Sequence, residues 1–119
     1  LLIRRGQPPR KGEWSLPGGR IEAGEKAVEA ALRELTEETA ITARIGGLID
    51  VVDGVFPEAG RHYVLIDYWA EWLTGDAVAG DDADEAVFLS KAEALQRVDW
   101  QETRRIIQLA FDLRDAAVR

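Results

Sequence analysis

The 119-residue sequence contains no cysteine, no methionine and a single histidine. The absence of cysteine excludes a disulfide framework and a thiolate metal site, so we expect a protein of the reducing cytoplasm. No apolar run is long enough to span a membrane, and no secretory leader is visible. Membrane partners are therefore not expected.

Basic residues are also in short supply. There are 15 Lys and Arg against 22 Asp and Glu, which gives a net charge of −7. This balance argues against nucleic acid as a partner. An acidic protein can still bind phosphate groups when a divalent cation lies between them.

The length and the hydrophobic content of 46% predict a single domain, 1–119, with a real core. The first residues, Leu1 to Ile3, have the pattern of a strand already under way. We therefore expect further residues, including an N-terminal strand, before Leu1.

Three glutamates lie close together in the stretch from Gly18 to Ile41. Glu34, Glu37 and Glu38 are three and four residues apart, which makes them neighbours on a helix surface. Each like-charged pair costs about 0.2–0.5 kcal/mol. Such a group is either a solvated helix face or a cation site, because Mg²⁺ takes carboxylate oxygens and shares them with substrate phosphates.

The residues before this helix favour the cation site. Gly18 and Gly19 follow Pro17, and Gly24 comes just before the predicted helix. Glycine has no Cβ, so backbone and ligand can approach closely. A glycine loop that leads into a helix N-terminus suits phosphate binding.

The same stretch resembles the sequence box of the Nudix hydrolases, G-x5-E-x7-R-E-U-x-E-E-x-G-U, where U is a bulky apolar residue. The matching residues are Gly19, Glu25, Arg33, Glu34, Leu35, Glu37, Glu38 and Ile41. Ala40 stands where the family usually has glycine, at a helix C-terminal cap.

The resemblance implies roles for these side chains. The glutamates and the Gly18 carbonyl would bind Mg²⁺ or Mn²⁺, with Glu34 favoured as the base and Glu37 and Glu38 as metal ligands. Arg33 and Glu25 would lock the loop onto the helix. The acidic loop would supply one more ligand, Asp82 or Glu85, and the substrate candidates are Arg20, Arg5 and Phe56.

Hydrophobic periodicity predicts the remaining elements. Ser90 and Asp99 are expected to cap two later helices, each with a glutamate three residues on. The resemblance implies an α/β (α+β) fold, a Nudix-type α/β/α sandwich with a mixed, largely antiparallel sheet. The predicted strands are 1–5, 14–16, 41–55, 61–73 and 85–89, and the first helix is 25–39.

By resemblance, the chain is expected to hydrolyse the pyrophosphate of a nucleoside diphosphate linked to another group. The run from Gly12 to Gly19 and the downstream Pro57 are similar to ADP-ribose pyrophosphatases, so ADP-ribose or a nucleotide sugar ranks first. The alternatives are a (d)NTP pyrophosphohydrolase of the MutT type, a non-catalytic nucleotide sensor, and an acidic domain without a ligand. A homodimer is also compatible with the resemblance.

Overall fold

The structure, a computed structural model, describes residues 1–8 and 10–117. The described part contains five strands and three α-helices. None of these helices combines the length and apolar character needed to cross a membrane. In chain order the elements are β1 (Leu2–Arg5), β2 (Trp14–Ser15), α1 (Ala27–Thr39), β3 (Thr42–Phe56), β4 (Arg61–Thr74), β5 (Ala83–Val87), α2 (Lys91–Arg97) and α3 (Gln101–Ala117).

The strands form two sheets, and the recorded pairs are antiparallel. One sheet has the order β2-β1-β5, and the other is a long ribbon of β3 and β4 closed by a 3₁₀ turn at Pro57–Ala59. β3 is one long irregular strand, which agrees with the predicted strand 41–55 to within one residue at each end. Its register shifts between Ile45 and Gly47, where the ring of Trp69 occupies the space that a Cβ on Gly46 would need.

Helices pack on both sheets, which gives the α+β fold that the sequence predicted. α1 and α3 both contact the β3–β4 ribbon, and α2 contacts α3. Leu2, Ala94, Val98 and Ile107 form a buried cluster that joins the small sheet to α2 and α3. These contacts anchor β1, and β5 is held by its pairing with β1.

Several predicted boundaries were wrong by one or two residues. α1 begins at Ala27 because Glu25 closes a turn, with its N–H donating to the carbonyl of Glu22 at 3.0 Å. β5 begins at Ala83 because that residue already pairs with Arg5 across a bulge. α3 begins at Gln101, so Asp99 does not directly precede its first turn.

The cap at Ser90 was predicted correctly. Its hydroxyl accepts a hydrogen bond from the N–H of Glu93 at 3.2 Å. The carboxylate of Glu93 in turn accepts from the N–H of Ser90 at 3.3 Å. The N–H groups of Ser90 and Glu93 are therefore both hydrogen-bonded, as in a capping box.

Ala40 occupies the left-handed region at the end of α1, with φ 62° and ψ 16°. A side chain there costs about 1–2 kcal/mol relative to glycine, part of which glycine loses again through greater freedom in the unfolded chain. Ala40→Gly should therefore raise the free energy of unfolding in urea by about 0.5–1 kcal/mol. Ala92→Gly, on the exposed side of α2, is the matched control and should be destabilising. A loss of stability in Ala40→Gly would contradict this account.

Candidate active site

A group of three carboxylates lies at the C-terminal half of α1. Oxygen atoms of Glu34, Glu37 and Asp81 lie within 4.8 Å of one another. The two glutamates are three residues apart on the helix, and Asp81 comes from the loop between β4 and β5. We call Glu34, Glu37 and Asp81 the carboxylate group.

Glu38 lies beside this group but is directed towards the glycine loop. Only 5% of Glu38 is exposed, and its carboxylate accepts a hydrogen bond from the N–H of Gly18 at 2.7 Å. Burial raises the pKa of Glu38 to about 7, and the negative charges of Glu34 and Asp81 add to the rise. The Gly18 hydrogen bond and the positive charge of Arg5 act in the opposite direction. Although their spacing places the three glutamates on one helix face, Glu38 is buried, whereas Glu37 is exposed.

Arg33 ties the loop to the helix. Its Nε donates to Glu25 Oε2 at 2.7 Å and its Nη2 donates to Glu25 Oε1 at 3.1 Å, so the expected pairing is present and bidentate. The hydrogen bond from Arg33 lowers the pKa of Glu25. The Arg33 Nη2 group also donates to the carbonyl of Arg20 at 2.9 Å. Loop residues 20–25 are thereby fixed relative to α1.

The same guanidinium reaches the carboxylate group. Arg33 Nη1 donates to Glu34 Oε1 at 2.8 Å and to Glu37 Oε2 at 3.1 Å. The Glu34 side chain is 14% exposed, whereas that of Glu37 is 45% exposed. Arg33 therefore offsets part of the repulsion between the two glutamates and restrains the less exposed one.

Gly19 allows the close approach of the Glu34 side chain. A Cβ on Gly19 would lie 2.3 Å from the carboxyl carbon of Glu34, which is far inside van der Waals contact. The glycine loop is thus in direct contact with the carboxylate group, as the sequence suggested. The N–H of Gly18 donates to Glu38, and the role of the Gly18 carbonyl as a metal ligand stays a prediction.

The carboxylate group takes its third member from a position that the sequence did not favour. The carbonyl of Asp82 accepts from the N–H of Gly6 at 2.9 Å. Glu85 is a residue of β5, and its carboxylate lies 3.5 Å from Arg4 on the paired strand β1. Asp81 is brought to the helix by a left-handed backbone, φ 51°, which follows Gly80. The glycine before the acidic run was the one available signal.

The three substrate candidates lie in different surroundings. Arg20 is exposed and follows the glycine pair, while the charge of Arg5 acts on Glu38. Phe56 is half-buried at the end of β3, and its ring lies 6.0 Å from Tyr63 and 5.7 Å from Trp100. The guanidinium of Arg10 lies 5.6 Å from the Phe56 ring. Phe56 thus belongs to an aromatic cluster, and the guanidinium of Arg10 lies over its ring.

The Arg33 contacts can be tested without a ligand. Arg33→Lys keeps the charge but loses the planar fork that binds Glu25 through two hydrogen bonds. Amide hydrogen exchange at Glu22 and Glu25, whose N–H groups are hydrogen-bonded within the loop, should become about tenfold faster or more. Arg114→Lys, whose side chain pairs only locally with Asp115, is the control. Unchanged exchange at both amides in Arg33→Lys would show that the fork does not hold the loop.

The carboxylate group has the chemistry of a divalent cation site. Its donors are hard carboxylate oxygens, two of them on neighbouring turns of one helix, and the partly exposed Glu37 and the exposed Asp81 leave an open side. Mg²⁺ and Mn²⁺ prefer oxygen ligands and keep coordination positions for water and phosphate. The residues present therefore fit such an ion.

Comparison with known proteins identifies the family. The NUDIX domain family model matches residues 1–110. An ADP-ribose pyrophosphatase of Methanocaldococcus jannaschii is 39% identical over 88 residues, which are 74% of this chain and 52% of that protein. An 8-oxo-(d)GTP phosphatase of Mycolicibacterium smegmatis is 33% identical over 101 residues, 84% of this chain and 30% of that protein.

A solved structure gives the same result. The crystal structure of a MutT NUDIX hydrolase from Burkholderia pseudomallei superposes with a TM-score of 0.75 and 31% identity, and the match covers 91% of this chain and 84% of the other. The chain belongs to the Nudix family. It spans about half of the M. jannaschii relative and about a third of the M. smegmatis one.

Proposed function

We propose that this Nudix domain hydrolyses the pyrophosphate bond of a nucleoside diphosphate linked to another group. The observation that carries the proposal is the carboxylate group itself, three acidic side chains within 4.8 Å of one another beside a glycine loop. A solvated helix face alone does not account for the position of Asp81, which comes from a separate loop and lies close to the two glutamates. Nor would it bury a fourth carboxylate, that of Glu38, at the expense of its hydration.

The side chains take distinct roles in this proposal. Glu37 and Asp81 would hold the cation together with Glu34, which belongs to the same group. Glu38, which lies beside the group, is the fourth candidate ligand. A bound Mg²⁺ or Mn²⁺ supplies neutralisation of charge on the phosphate oxygens. Arg33 and Glu25 position the loop and Glu34.

The chemical step requires a water molecule and a base. Water attacks phosphorus, the bond from phosphorus to the bridging oxygen breaks, and two phosphate products leave. Glu34 accepts the proton of the attacking water, since its carboxylate is the less exposed of the two helix glutamates in the carboxylate group and is held in place by Arg33. Catalysis then depends mainly on positioning and on charge stabilisation.

ADP-ribose or a nucleotide sugar is the first substrate candidate, which the similarity to an ADP-ribose pyrophosphatase supports. Arg20 and Arg5 are the candidates for phosphate contact, and the aromatic cluster around Phe56 is the candidate for base stacking. The similarity to an 8-oxo-(d)GTP phosphatase favours a second candidate, a (d)NTP pyrophosphohydrolase of the MutT type.

A substrate panel separates these functions. ADP-ribose, nucleotide sugars, 8-oxo-dGTP and the four dNTPs would be incubated with Mg²⁺ or Mn²⁺, and the products separated by ion-exchange chromatography. We expect AMP and a sugar phosphate from ADP-ribose. Selective formation of 8-oxo-dGMP would favour the second candidate. Tight nucleotide binding without any product would overturn the enzymatic proposal and indicate a sensor.

A further inference from the structure

The loop between β4 and β5 is docked on the C-terminal end of α1. The N–H of Val78 donates to the carbonyl of Thr39 at 2.9 Å, and the N–H of Gly80 donates to the carbonyl of Glu38 at 3.0 Å. The last carbonyls of a helix have no partner within the helix. The loop therefore supplies partners to the same turn of α1 that carries Glu37 and Glu38.

Gly80 lies directly against the backbone of α1. A Cβ at this position would lie 2.6 Å from the carbonyl oxygen of Glu37, a distance that real Cβ atoms essentially never show. The atom in the way is backbone in the last turn of α1, so it cannot move aside as a flexible side chain could. A larger residue at position 80 must therefore lift the loop away from the helix.

The position of Asp81 depends on this contact. The carbonyl of Gly80 accepts from the N–H of Ala83 at 3.1 Å, which closes a tight turn over Asp81. Within that turn Asp81 adopts the left-handed backbone that Asp tolerates better than most residues, φ 51°. Its carboxylate thereby reaches Glu34 and Glu37. A loop lifted at Gly80 would carry Asp81 away from the two glutamates.

We propose that Gly80 is a positioning residue for the cation site, because it lets the β4–β5 loop dock on α1 and so places Asp81 in the carboxylate group. The inference rests on the proposed function, since it assumes that the carboxylate group binds a divalent cation. It explains why Asp81, rather than a neighbouring acidic residue, joins the carboxylate group: the backbone contact at Gly80 sets the position of the loop.

Mn²⁺ binding to the full chain, measured by isothermal titration calorimetry, tests the inference without reference to turnover. Gly80→Ala should bind Mn²⁺ about 10–100-fold more weakly than the unaltered protein, the range found when groups that orient metal ligands are changed. Gly60→Ala is the matched control. Gly60 lies in the turn between β3 and β4 with φ 63° and no atom near its Cβ position, so this variant carries backbone strain at a remote site and should keep the affinity.

A double-mutant cycle shows whether Gly80 acts through Asp81. Asp81→Asn alone should weaken Mn²⁺ binding, and Gly80→Ala should add less than about twofold in the Asp81→Asn background. A merely structural role would instead weaken binding by the same factor in both backgrounds, and that result would overturn the inference. Unchanged affinity in Gly80→Ala would overturn it too, while leaving the proposed function intact. Unchanged affinity in Asp81→Asn would overturn it and also remove Asp81 from the proposed cation ligands, and turnover of the substrate panel would then decide the proposed function separately.

Two further outcomes are informative. Failure of the unaltered protein to bind Mn²⁺ would overturn both the proposed function and this inference. If Gly80→Ala does not fold, as judged by circular dichroism, Val78→Pro replaces it. That variant removes the N–H that donates to Thr39 and should weaken Mn²⁺ binding in the same range, and an unchanged affinity would count against the inference.

Discussion

Replacement of Glu34 by glutamine is expected to lower kcat by about 10²–10⁴-fold, the usual contribution of a general base. Glutamine keeps the shape of the side chain and can still accept the hydrogen bond that Arg33 donates to Glu34. It cannot accept a proton from water. The measurement is the steady-state rate for whichever nucleotide of the panel gives the fastest turnover.

Glu29→Gln is the matched control for this experiment. Glu29 lies in the first turn of the same helix, where it accepts from the N–H of Lys26 at 2.9 Å, and a glutamine oxygen can accept that bond as well. The control should keep its activity within about twofold. If Glu34→Gln also loses less than about threefold, another group accepts the proton and Glu34 is not the base.

The sequence was informative about α1 because helix geometry is local. A spacing of three and four residues puts Glu37 and Glu38 on either side of Glu34, since each residue advances about 100° around the axis. Spacing alone could not tell which of the two would be buried. That depends on the Gly18 N–H, which comes from a loop 20 residues earlier in the chain and selects Glu38.

Local sequence reasoning could not identify which acidic residue of the β4–β5 loop reaches α1, for a different physical reason. Asp81, Asp82 and Glu85 are equivalent by composition, and only the backbone path decides which carboxylate faces α1. The path is set by the docking of Gly80 and by the left-handed conformation of Asp81. Glu85 lies on β5, where Arg4 of the paired strand β1 is directly opposite it.

The aromatic residue Phe56 illustrates the limit for substrate contacts. Its place at the end of β3 followed from the strand pattern, within one residue. Its neighbours did not, because Trp100 and Arg10 come from distant parts of the chain. An aromatic cluster assembled from three separate segments has no characteristic spacing by which the sequence could predict it.

Glu38→Gln is expected to affect stability and function in opposite directions. Burial holds the folded-state pKa of Glu38 at about 7, above the value of about 4.3 expected in the unfolded chain. Ionisation of Glu38 therefore costs the folded state free energy as the pH rises from about 4.3 to about 7. Glutamine removes that cost and can keep the hydrogen bond from Gly18. In the presence of EDTA, the variant should be more stable than the unaltered protein by about 1–3 kcal/mol at pH 8, and the difference should shrink towards pH 4.5.

Asp67→Asn separates the effect on stability from the effect on function. Burial also raises the pKa of Asp67, to about 6, at a position on β4 outside the carboxylate group. Both variants should therefore gain stability above neutral pH for the same electrostatic reason, as measured by urea unfolding at pH 4.5 and pH 8. Glu38→Gln should also lose Mn²⁺ affinity and turnover, whereas Asp67→Asn should keep both, because Glu38 is a proposed cation ligand and Asp67 is not. Equal destabilisation of Glu38→Gln at both pH values would contradict this account, since the buried carboxylate would then be stabilising the fold. A carboxylate that weakens the metal-free fold but is needed for Mn²⁺ binding is one whose presence is explained by the ion rather than by packing.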